Sequence, residues 1–284
     1  MRRLLAMLCI GACAARAAVP GGIAVLDVPE ATERATYEGH AVLVLHAPRP
    51  VAIVGIPLDA RLGQHRLTVE ASTGAVAALP APFEIAFPVT AKEYPTETLT
   101  VEPKLVNPPA KELARIKTEQ AAMQQVFASF TPVAAPPFPM LRPLAGETRS
   151  AFGLRRVFNG EPRSPHSGLD IRGAVGDPIA APAAGTVALT GLFYFNGNTV
   201  LIDHGGGVVT MTCHMSEIDV ARGQHVERGQ VIGKVGATGR VTGPHLHWTL
   251  SLNDARVDPE QALSIFAASP TAARDEKEAL ATPQ

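Results

Sequence analysis

Four histidines and one aspartate fall into three short clusters between residues 166 and 247, in a segment that glycines divide into strand-length pieces. The clusters read H-S-G-L-D, C-H-M-S and G-P-H-L-H-W, and they contain five candidate site residues: His166, Asp170, His214, His245 and His247. Zinc accepts imidazole nitrogen and carboxylate oxygen, and a catalytic site combines three protein ligands with one open position. The segment therefore predicts a zinc site in which two histidines ligate beside Asp170. The other two would transfer protons or stabilise an oxyanion.

The spacing within the clusters places these side chains on common faces if the segments are strands. Side chains two or four residues apart on a strand project the same way. His245 and His247 would then share one face, with Leu246 pointing into the core between them. His166 and Asp170 would also share a face, unless Gly168 bends the chain.

The stretch from about Phe152 to Leu250 resembles the lysostaphin-like (LytM-type) zinc metallopeptidase family, which cleaves peptide bonds in bacterial peptidoglycan. Three motifs carry the resemblance: F-G-x-R-R beginning at Phe152, the H-x-x-x-D and H-x-H pairs, and G-A-T-G-R-V-T-G-P-H-L-H beginning at Gly236. The ligands, the bases and the intervening glycines agree with the family in order and spacing.

The resemblance implies a role for each of the five clustered residues. His166, Asp170 and His247 would bind one zinc ion per chain, and His245 and His214 would be the catalytic histidines. The implied activity is that of a zinc metallo-endopeptidase, which hydrolyses peptidoglycan cross-links with zinc-activated water and a histidine base.

Four further positions concern the substrate side of the predicted site. Asn198, in N-G-N-T-V, lies where the family often has a polar residue facing the substrate, so the resemblance implies a substrate-binding role. Thr212 departs from the family, which commonly has an aromatic residue there, and this puts one substrate contact in doubt. Arg155 and Arg156 have two open interpretations, as ligands for substrate carboxylates or as solvated loop charges.

Two alternative functions stay open. One is a non-catalytic LytM-type scaffold that activates a cell-wall amidase, which zinc content would distinguish from an enzyme. The other is a secreted endopeptidase for other proteins or for polyglycine bridges, which a substrate panel would distinguish. The domain order also suggests that the upstream region shields the groove and that a regulatory protein acts on it.

The first 17 residues predict an export signal. Two arginines precede an apolar run at residues 4–12, and residues 15–17 form an A-x-A cleavage site. The run is well short of the ~20 residues that span a bilayer, so no transmembrane segment is expected after cleavage. A lipoprotein signal that leaves Cys13 lipidated is the alternative. Either interpretation predicts an exported protein, in the periplasm or associated with the cell envelope.

Charge and cysteine content limit the partners. The net charge is -1 and no basic run follows the first residues, so a nucleic-acid partner is not expected. We expect a monomer that acts on a peptidoglycan peptide. Cys213 is the single cysteine after the signal, and we interpret it as a buried structural residue whose side chain points away from His214. His204, beside a G-G-G hairpin turn, is likewise interpreted as structural.

The chain as a whole is predicted to be mainly β, since short apolar or alternating runs are separated by many of its 25 prolines and 25 glycines. A helix is predicted between Pro108 and Phe130, with an apolar stripe of Leu113, Ile116, Ala121 and Phe127. We expect it to pack against a domain rather than occupy the groove. The predicted order is a signal peptide at 1–17, a small β-sandwich accessory domain at 18–105, a connector helix and proline-rich linker at 106–145, an antiparallel β-sheet zinc peptidase domain at 146–265, and a disordered tail at 266–284.

Overall fold

A computed structural model of the chain describes five stretches: residues 18–46, 49–71, 82–100, 108–133 and 136–266. These stretches confirm a mainly β protein with a sheet region in each half. The predicted export signal, and the predicted tail after residue 266, lie outside the described residues. Within the described part of the chain, no helix has the length and apolar character needed to cross a membrane.

The N-terminal half is a small sandwich of two antiparallel sheets, as predicted. One sheet has the order β1-β5-β4 and the other the order β3-β2-β6-β7. Both sheets contribute side chains to one core, in which Tyr37, Leu67 and Phe87 are almost fully buried. The strands of this half are β1 Ile23–Asp27, β2 Thr32–Tyr37, β3 His40–Ala41, β4 Leu43–Leu45, β5 Val51–Gly55, β6 Gly63–Ala71 and β7 Phe83–Val89.

The next strand, β8 (Thr96–Leu99), does not join the accessory sandwich to which we assigned it. It pairs in parallel with β10 (Arg155–Phe158), and β11 (Glu161–Pro162) occupies the other edge of β10. Strand β10 is thereby paired on both sides, whereas an edge strand would leave one row of backbone groups unpaired. Strand β8 therefore crosses the boundary between the two halves of the chain.

The predicted helix forms and packs on the C-terminal sheet. A turn of 3-10 helix, Ala110–Glu112, leads into α1, Leu113–Phe127. Ile116 and Phe127 are buried as predicted, whereas Leu113 is 52% exposed and Ala121, the fourth residue of the predicted stripe, is exposed as well. The prediction for Leu113 is wrong because the apolar contact lies near the C-terminal end of α1. There the helix covers four side chains of the sheet: Leu201, Val209, Met211 and Cys213.

The C-terminal half is built on an eight-stranded antiparallel sheet, with the order β18-β14-β15-β16-β20-β12-β9 and β21 paired to β20. A smaller sheet, β13-β19-β17, packs against it. Trp248 and Leu246 are fully buried in the core between them. The remaining elements are β9 Thr148–Ser150, β12 Leu169–Ile171, β13 Pro178–Ala180, β14 Gly185–Phe193, β15 Gly197–Asp203, β16 Val208–Met215, β17 Glu217–Ile218, β18 His225–Val226, β19 Val231–Lys234, β20 Leu246–Leu252, β21 Ala255–Val257 and α2 Pro259–Ile265.

The two halves share a buried contact. The Gly55 amide donates to Asn253 Oδ1 at 2.7 Å, and Asn253 Nδ2 donates to the Gly55 carbonyl at 3.1 Å. A Cβ on Gly55 would lie 2.7 Å from the Leu252 carbonyl oxygen, so this close approach requires glycine. The proline-rich linker is also packed, since Phe138 stacks on Phe266 with ring centroids 3.8 Å apart.

His204 is structural, as predicted, and it should make stability depend on pH. Burial lowers its pKa to about 4, although the Ala184 carbonyl and Asp203 both act to raise it. An unfolded histidine titrates near ~6.5. Neutral His204 therefore stabilises the fold fully above pH ~6.5, and this stabilisation is lost as the pH falls towards 4. The free energy of unfolding should fall by about 3 kcal/mol over that range. Urea unfolding between pH 7 and 4.5 should show a flatter pH dependence for His204→Gln than for the wild type. The exposed control His225→Gln should follow the wild type, and equal slopes for all three proteins would contradict the assignment.

Candidate metal centre

Two strands and one glycine bring the three predicted ligands together. Asp170 on β12 is paired directly with His247 on β20, so their side chains are cross-strand neighbours. His166 precedes β12 by one short turn of chain. Gly168, between the two, lies against His247, and a Cβ there would be 2.7 Å from the imidazole ring. Glycine is thus required for this close approach, and not only for a bend.

The ligand atoms form a compact triangle. His166 Nε2 lies 3.0 Å from Asp170 Oδ1 and 3.1 Å from His247 Nδ1, and the third edge, from His247 Nδ1 to Asp170 Oδ1, is 2.8 Å. Donors bound tetrahedrally to zinc lie about 3.3 Å apart, since Zn–N distances are ~2.0–2.1 Å. The triangle therefore has the size and the donor types of a three-residue zinc site.

The hydrogen bonds on the far side of the two rings limit where the ring protons lie. His166 Nδ1 lies 2.9 Å from the carbonyl oxygen of Ala151, which can only accept, so this nitrogen donates. His247 Nε2 lies 3.0 Å from the hydroxyl of Thr249, which can accept or donate. His166 Nε2 and His247 Nδ1 both face Asp170 Oδ1, where a protonated nitrogen donates to the carboxylate and an unprotonated one offers a lone pair to a metal ion.

His245 and His214 flank the triangle. His245 Nε2 is 3.8 Å from Asp170 Oδ1, and His245 Nδ1 is held by the Gly243 carbonyl at 2.8 Å. The His214 ring lies 4.9 Å from the His245 ring, and its Nδ1 donates to the Thr238 carbonyl at 2.9 Å. Each ring is therefore anchored through Nδ1 and directs its Nε2 away from the anchoring carbonyl.

A β-bulge positions His214. Asn198 pairs with Met215 and Val200 pairs with Thr212, so two residues of β16 oppose one of β15. His214 has a φ of 65°, which is unfavourable for a non-glycine residue. Such a bulge interrupts the strict alternation from which we predicted that Cys213 and His214 point to opposite faces.

Burial and neighbouring charge set the protonation of the site. Burial alone would raise the pKa of Asp170, but the hydrogen bonds and charges of His166 and His247 outweigh it and hold the pKa well below its usual range. Burial lowers the pKa of His247, although Asp170 opposes this. Burial, with His247 and His245, lowers the pKa of His214 to about 3. The carboxylate of Asp170 is thus ionised, and burial favours the neutral form of His247, which is the state in which these two groups bind metal.

A groove of about 400 Å³ lies over the triangle, and its lining bears on two of the positions that we considered for the substrate side. Asn198 is not part of its lining, because the Asn198 side chain donates to the Met215 carbonyl at 3.1 Å. Asn196, two residues earlier in the same N-G-N run, lines the groove instead. Thr212, in strand β16 of the sheet, is 1% exposed and is not among the lining residues of the groove.

Arg155 and Arg156 were considered either as ligands for substrate carboxylates or as solvated loop charges, and the structure places the two residues differently. Arg156 lines the groove and donates to Asp170 Oδ2 at 3.3 Å and to Ser150 Oγ at 3.1 Å. Arg155 is exposed and is not among the lining residues. The groove also contains two arginines that the sequence reasoning missed, Arg149 and Arg240. Neither arginine lies in a predicted ligand cluster. Their immediate neighbours, Ser150 and Gly239, form no metal-ligand motif with them that could have pointed to the groove.

Cys213 is buried, as predicted. It is 1% exposed, burial raises its pKa to about 12, and it does not line the groove. Its thiol accepts a hydrogen bond from Asn196 Nδ2 at 3.2 Å. A protonated, enclosed thiol is not a nucleophile.

The geometry defines a candidate mononuclear metal centre with two flanking histidines, and comparison with known proteins gives its family. Residues 164–259 match peptidase family M23, and residues 16–87 match the peptidase family M23 N-terminal domain. A crystal structure of a putative peptidase M23 from Pseudomonas aeruginosa is 42% identical to this chain, with a TM-score of 0.72. The similarity covers 87% of this chain and 96% of that one. The chain belongs to peptidase family M23, which confirms the LytM-type resemblance.

Two curated relatives are similar over about two fifths of this chain. Peptidoglycan DD-endopeptidase ShyA from Vibrio cholerae is 42% identical over 114 residues, which is 40% of this chain and 26% of that protein. DD-carboxypeptidase/endopeptidase Mpg from Neisseria meningitidis is 39% identical over 116 residues, which is 41% of this chain and 26% of that protein. The chain therefore matches about a quarter of the length of these relatives.

Proposed function

We propose that this protein is a zinc metallo-endopeptidase that hydrolyses peptide cross-links of bacterial peptidoglycan. The observation that carries the proposal is the triangle of His166, Asp170 and His247, in which three candidate ligand atoms converge. The curated relatives that are named peptidoglycan endopeptidases support the choice of substrate.

The three residues of the triangle would hold one zinc ion per chain. Bound there, zinc supplies a Lewis acid that polarises the scissile carbonyl and brings the pKa of water towards ~7. Arg156 donates to Asp170 Oδ2, the oxygen that points out of the triangle. It thereby orients the carboxylate so that Oδ1 faces the two imidazoles.

His245 is the proposed general base. Its Nε2 lies beside the triangle, and the ring is held in orientation by the hydrogen bond from Nδ1 to the Gly243 carbonyl. It takes the proton of the attacking water as the water oxygen bonds to the carbonyl carbon. When the C–N bond breaks, His245 returns the proton to the leaving amine.

His214 is the second proposed catalytic histidine. We expected it either to stabilise the oxyanion or to assist proton transfer. Its Nδ1 proton is engaged by the Thr238 carbonyl, and its lowered pKa keeps Nε2 unprotonated. This form offers an acceptor rather than a donor, so proton transfer is the role that it supports.

The proposal extends to location and assembly. We propose that the chain is exported to the periplasm or cell envelope by the signal at residues 1–17, and that it acts as a monomer. The intact set of ligands and histidines argues against a non-catalytic scaffold for an amidase. The upstream region contributes Glu97 to the groove, and Glu97 is the one residue before Gly146 among the described lining residues. The described residues therefore border the groove on that side without covering it.

Incubation of the zinc-loaded mature protein with purified, cross-linked muropeptide dimers tests the proposal. Mass spectrometry should detect monomers, and their new termini would identify the bond that is cleaved. Zinc per chain is measured on the same sample. Intact dimers after incubation with a protein that holds one zinc per chain would contradict the proposal, and a panel of polyglycine and protein substrates would then be the next comparison.

A further inference from the structure

The tip of the β14–β15 hairpin forms part of the groove wall. Residues 194–196 make the turn between these two strands, and Phe195 and Asn196 line the groove. A turn lacks the ladder of hydrogen bonds that fixes a strand, so its position depends on contacts with other parts of the chain. The contacts of this tip therefore help to set the shape of the groove.

On the groove side, two backbone hydrogen bonds hold the tip. The His214 amide donates to the Asn196 carbonyl at 2.8 Å, and the Arg240 amide donates to the Phe195 carbonyl at 2.9 Å. The tip is thereby joined to the second proposed catalytic histidine and to the loop that precedes the H-x-H pair.

On the other side, helix α1 holds the tip through two side chains. Glu119 Oε2 accepts a hydrogen bond from the Tyr194 amide at 2.8 Å, and Arg115 Nη2 donates to the Leu192 carbonyl at 3.0 Å. Arg115 Nε also donates to Glu119 Oε1 at 2.6 Å, so the two side chains form an ion pair across one turn of the helix. Hydrogen bonds of an ionised group are stronger than those between neutral groups, and the Glu119 side chain is 16% exposed. Helix α1 thus fixes the turn from outside the groove, since neither Glu119 nor Arg115 is among the described lining residues.

We propose that Glu119, supported by Arg115, is a positioning residue that holds Phe195 and Asn196 in place for the substrate. This inference rests on the proposed peptidase function, and it gives the connector helix a part in substrate binding. The metal centre does not depend on the same contact, because β12, β16 and β20 are paired with one another within the sheet. Loss of Glu119 should therefore loosen the groove wall and affect KM more than kcat.

Amide hydrogen exchange on the zinc-loaded mature protein tests the contact without any substrate. In Glu119→Ala the Tyr194 amide loses its acceptor, and the His214 amide is bonded to a tip that the helix no longer holds. Exchange at both amides should be about fivefold faster than in the wild type. Glu119→Gln keeps an oxygen that can accept from the Tyr194 amide and should restore most of the protection.

Kinetics on cross-linked muropeptide dimers test the consequence for the substrate. Glu119→Ala should raise KM about fivefold and leave kcat within about twofold of the wild type. Glu119→Gln should have a KM between these two proteins, because it keeps the acceptor and loses the ion pair. Arg115→Ala should raise KM in the same direction as Glu119→Ala.

Gln124→Ala provides a matched control on the same helix. Gln124 Nε2 donates to both carboxylate oxygens of Asp254, at 2.9 and 2.7 Å, and neither residue lines the groove. This variant therefore removes a contact of α1 at a point remote from the tip. It should keep the wild-type KM and the wild-type exchange at Tyr194.

The outcomes separate this inference from the proposed function. Wild-type exchange at Tyr194 and His214 in Glu119→Ala would overturn the positioning role, whatever the activity. A rise in KM for Gln124→Ala equal to that for Glu119→Ala would also overturn it, since the effect would then come from general loosening of the helix. A fall in kcat at unchanged KM for Glu119→Ala counts against it as well. Failure of the zinc-loaded wild type to cleave the dimers contradicts the proposed function, and the exchange data then still decide whether Glu119 holds the tip.

Discussion

A His245→Ala variant should retain one zinc per chain and lose about a thousandfold in kcat on muropeptide dimers. His245 is not a member of the donor triangle, and its Nε2 is 3.8 Å from Asp170 Oδ1. Removal of the ring therefore leaves the proposed ligands in place. It removes the proposed acceptor for the proton of water, and a positioned general base contributes ~10²–10⁴-fold to rate.

Metal analysis and kinetics on the same preparation provide the measurement. His225→Ala, which removes an exposed imidazole of the same half, should match the wild type in both. His245→Gln keeps a polar group of similar reach without a base, and should be as slow as the alanine variant. Near-wild-type turnover by either His245 variant would refute the assignment of the base. Loss of zinc would instead identify His245 as a ligand.

Asp170→Ala should release the metal and leave turnover undetectable. Asp170 supplies the one negative charge of the triangle, and its Oδ1 lies within 3.0 Å of both ligand nitrogens. Without it, two imidazoles face the positive charge of Arg156, which loses its partner. Loss of a group that only hydrogen-bonds a metal ligand costs ~10–100-fold in metal affinity. Because Asp170 is itself a proposed ligand, we expect its removal to lower zinc affinity by at least about a hundredfold.

A graded series makes this prediction sharper. Asp170→Asn keeps an oxygen donor without the charge and should bind zinc with an affinity between those of the wild type and Asp170→Ala. Asp219→Ala, at an exposed position outside the groove, should bind zinc as the wild type does. Zinc is quantified by atomic absorption after dialysis against a weak chelator. Full zinc occupancy of Asp170→Ala would exclude the triangle as the metal site.

The candidate ligands could be predicted because their signal is local. His245 and His247 are two residues apart on or beside one strand, and four residues separate His166 from Asp170. The meeting of the two clusters depends on the register of β12 against β20, which pairs Asp170 with His247. That register is a long-range property, and here the family resemblance anticipated it.

Other features depended on details that a sequence pattern does not carry. Asn196 lies in the turn before β15 and lines the groove, whereas the Asn198 side chain, in the strand, bonds to the Met215 carbonyl, and the N-G-N pattern does not say where the strand begins. The groove arginines are distant in sequence, since Arg149 lies in β9, Arg156 in β10 and Arg240 before β20, and they line one groove only in the folded chain. The exposure of Leu113 followed from where α1 meets the sheet, which helical periodicity alone does not specify.

Because β8 comes from the N-terminal half but pairs with β10 in the C-terminal half, the C-terminal half is not a self-contained cassette for protein engineering. Transplanting the C-terminal half as a cassette from Gly146 onward would leave Thr96–Leu99 behind, and β10 would then expose a row of unpaired backbone groups beside the groove. It would also uncover the apolar side chains beneath α1. A chimaera that retains residues 96–99 and 110–127 keeps both surfaces closed. Strand β8 and helix α1 therefore belong structurally with the C-terminal half, even though the motifs of the metal site all lie downstream of them.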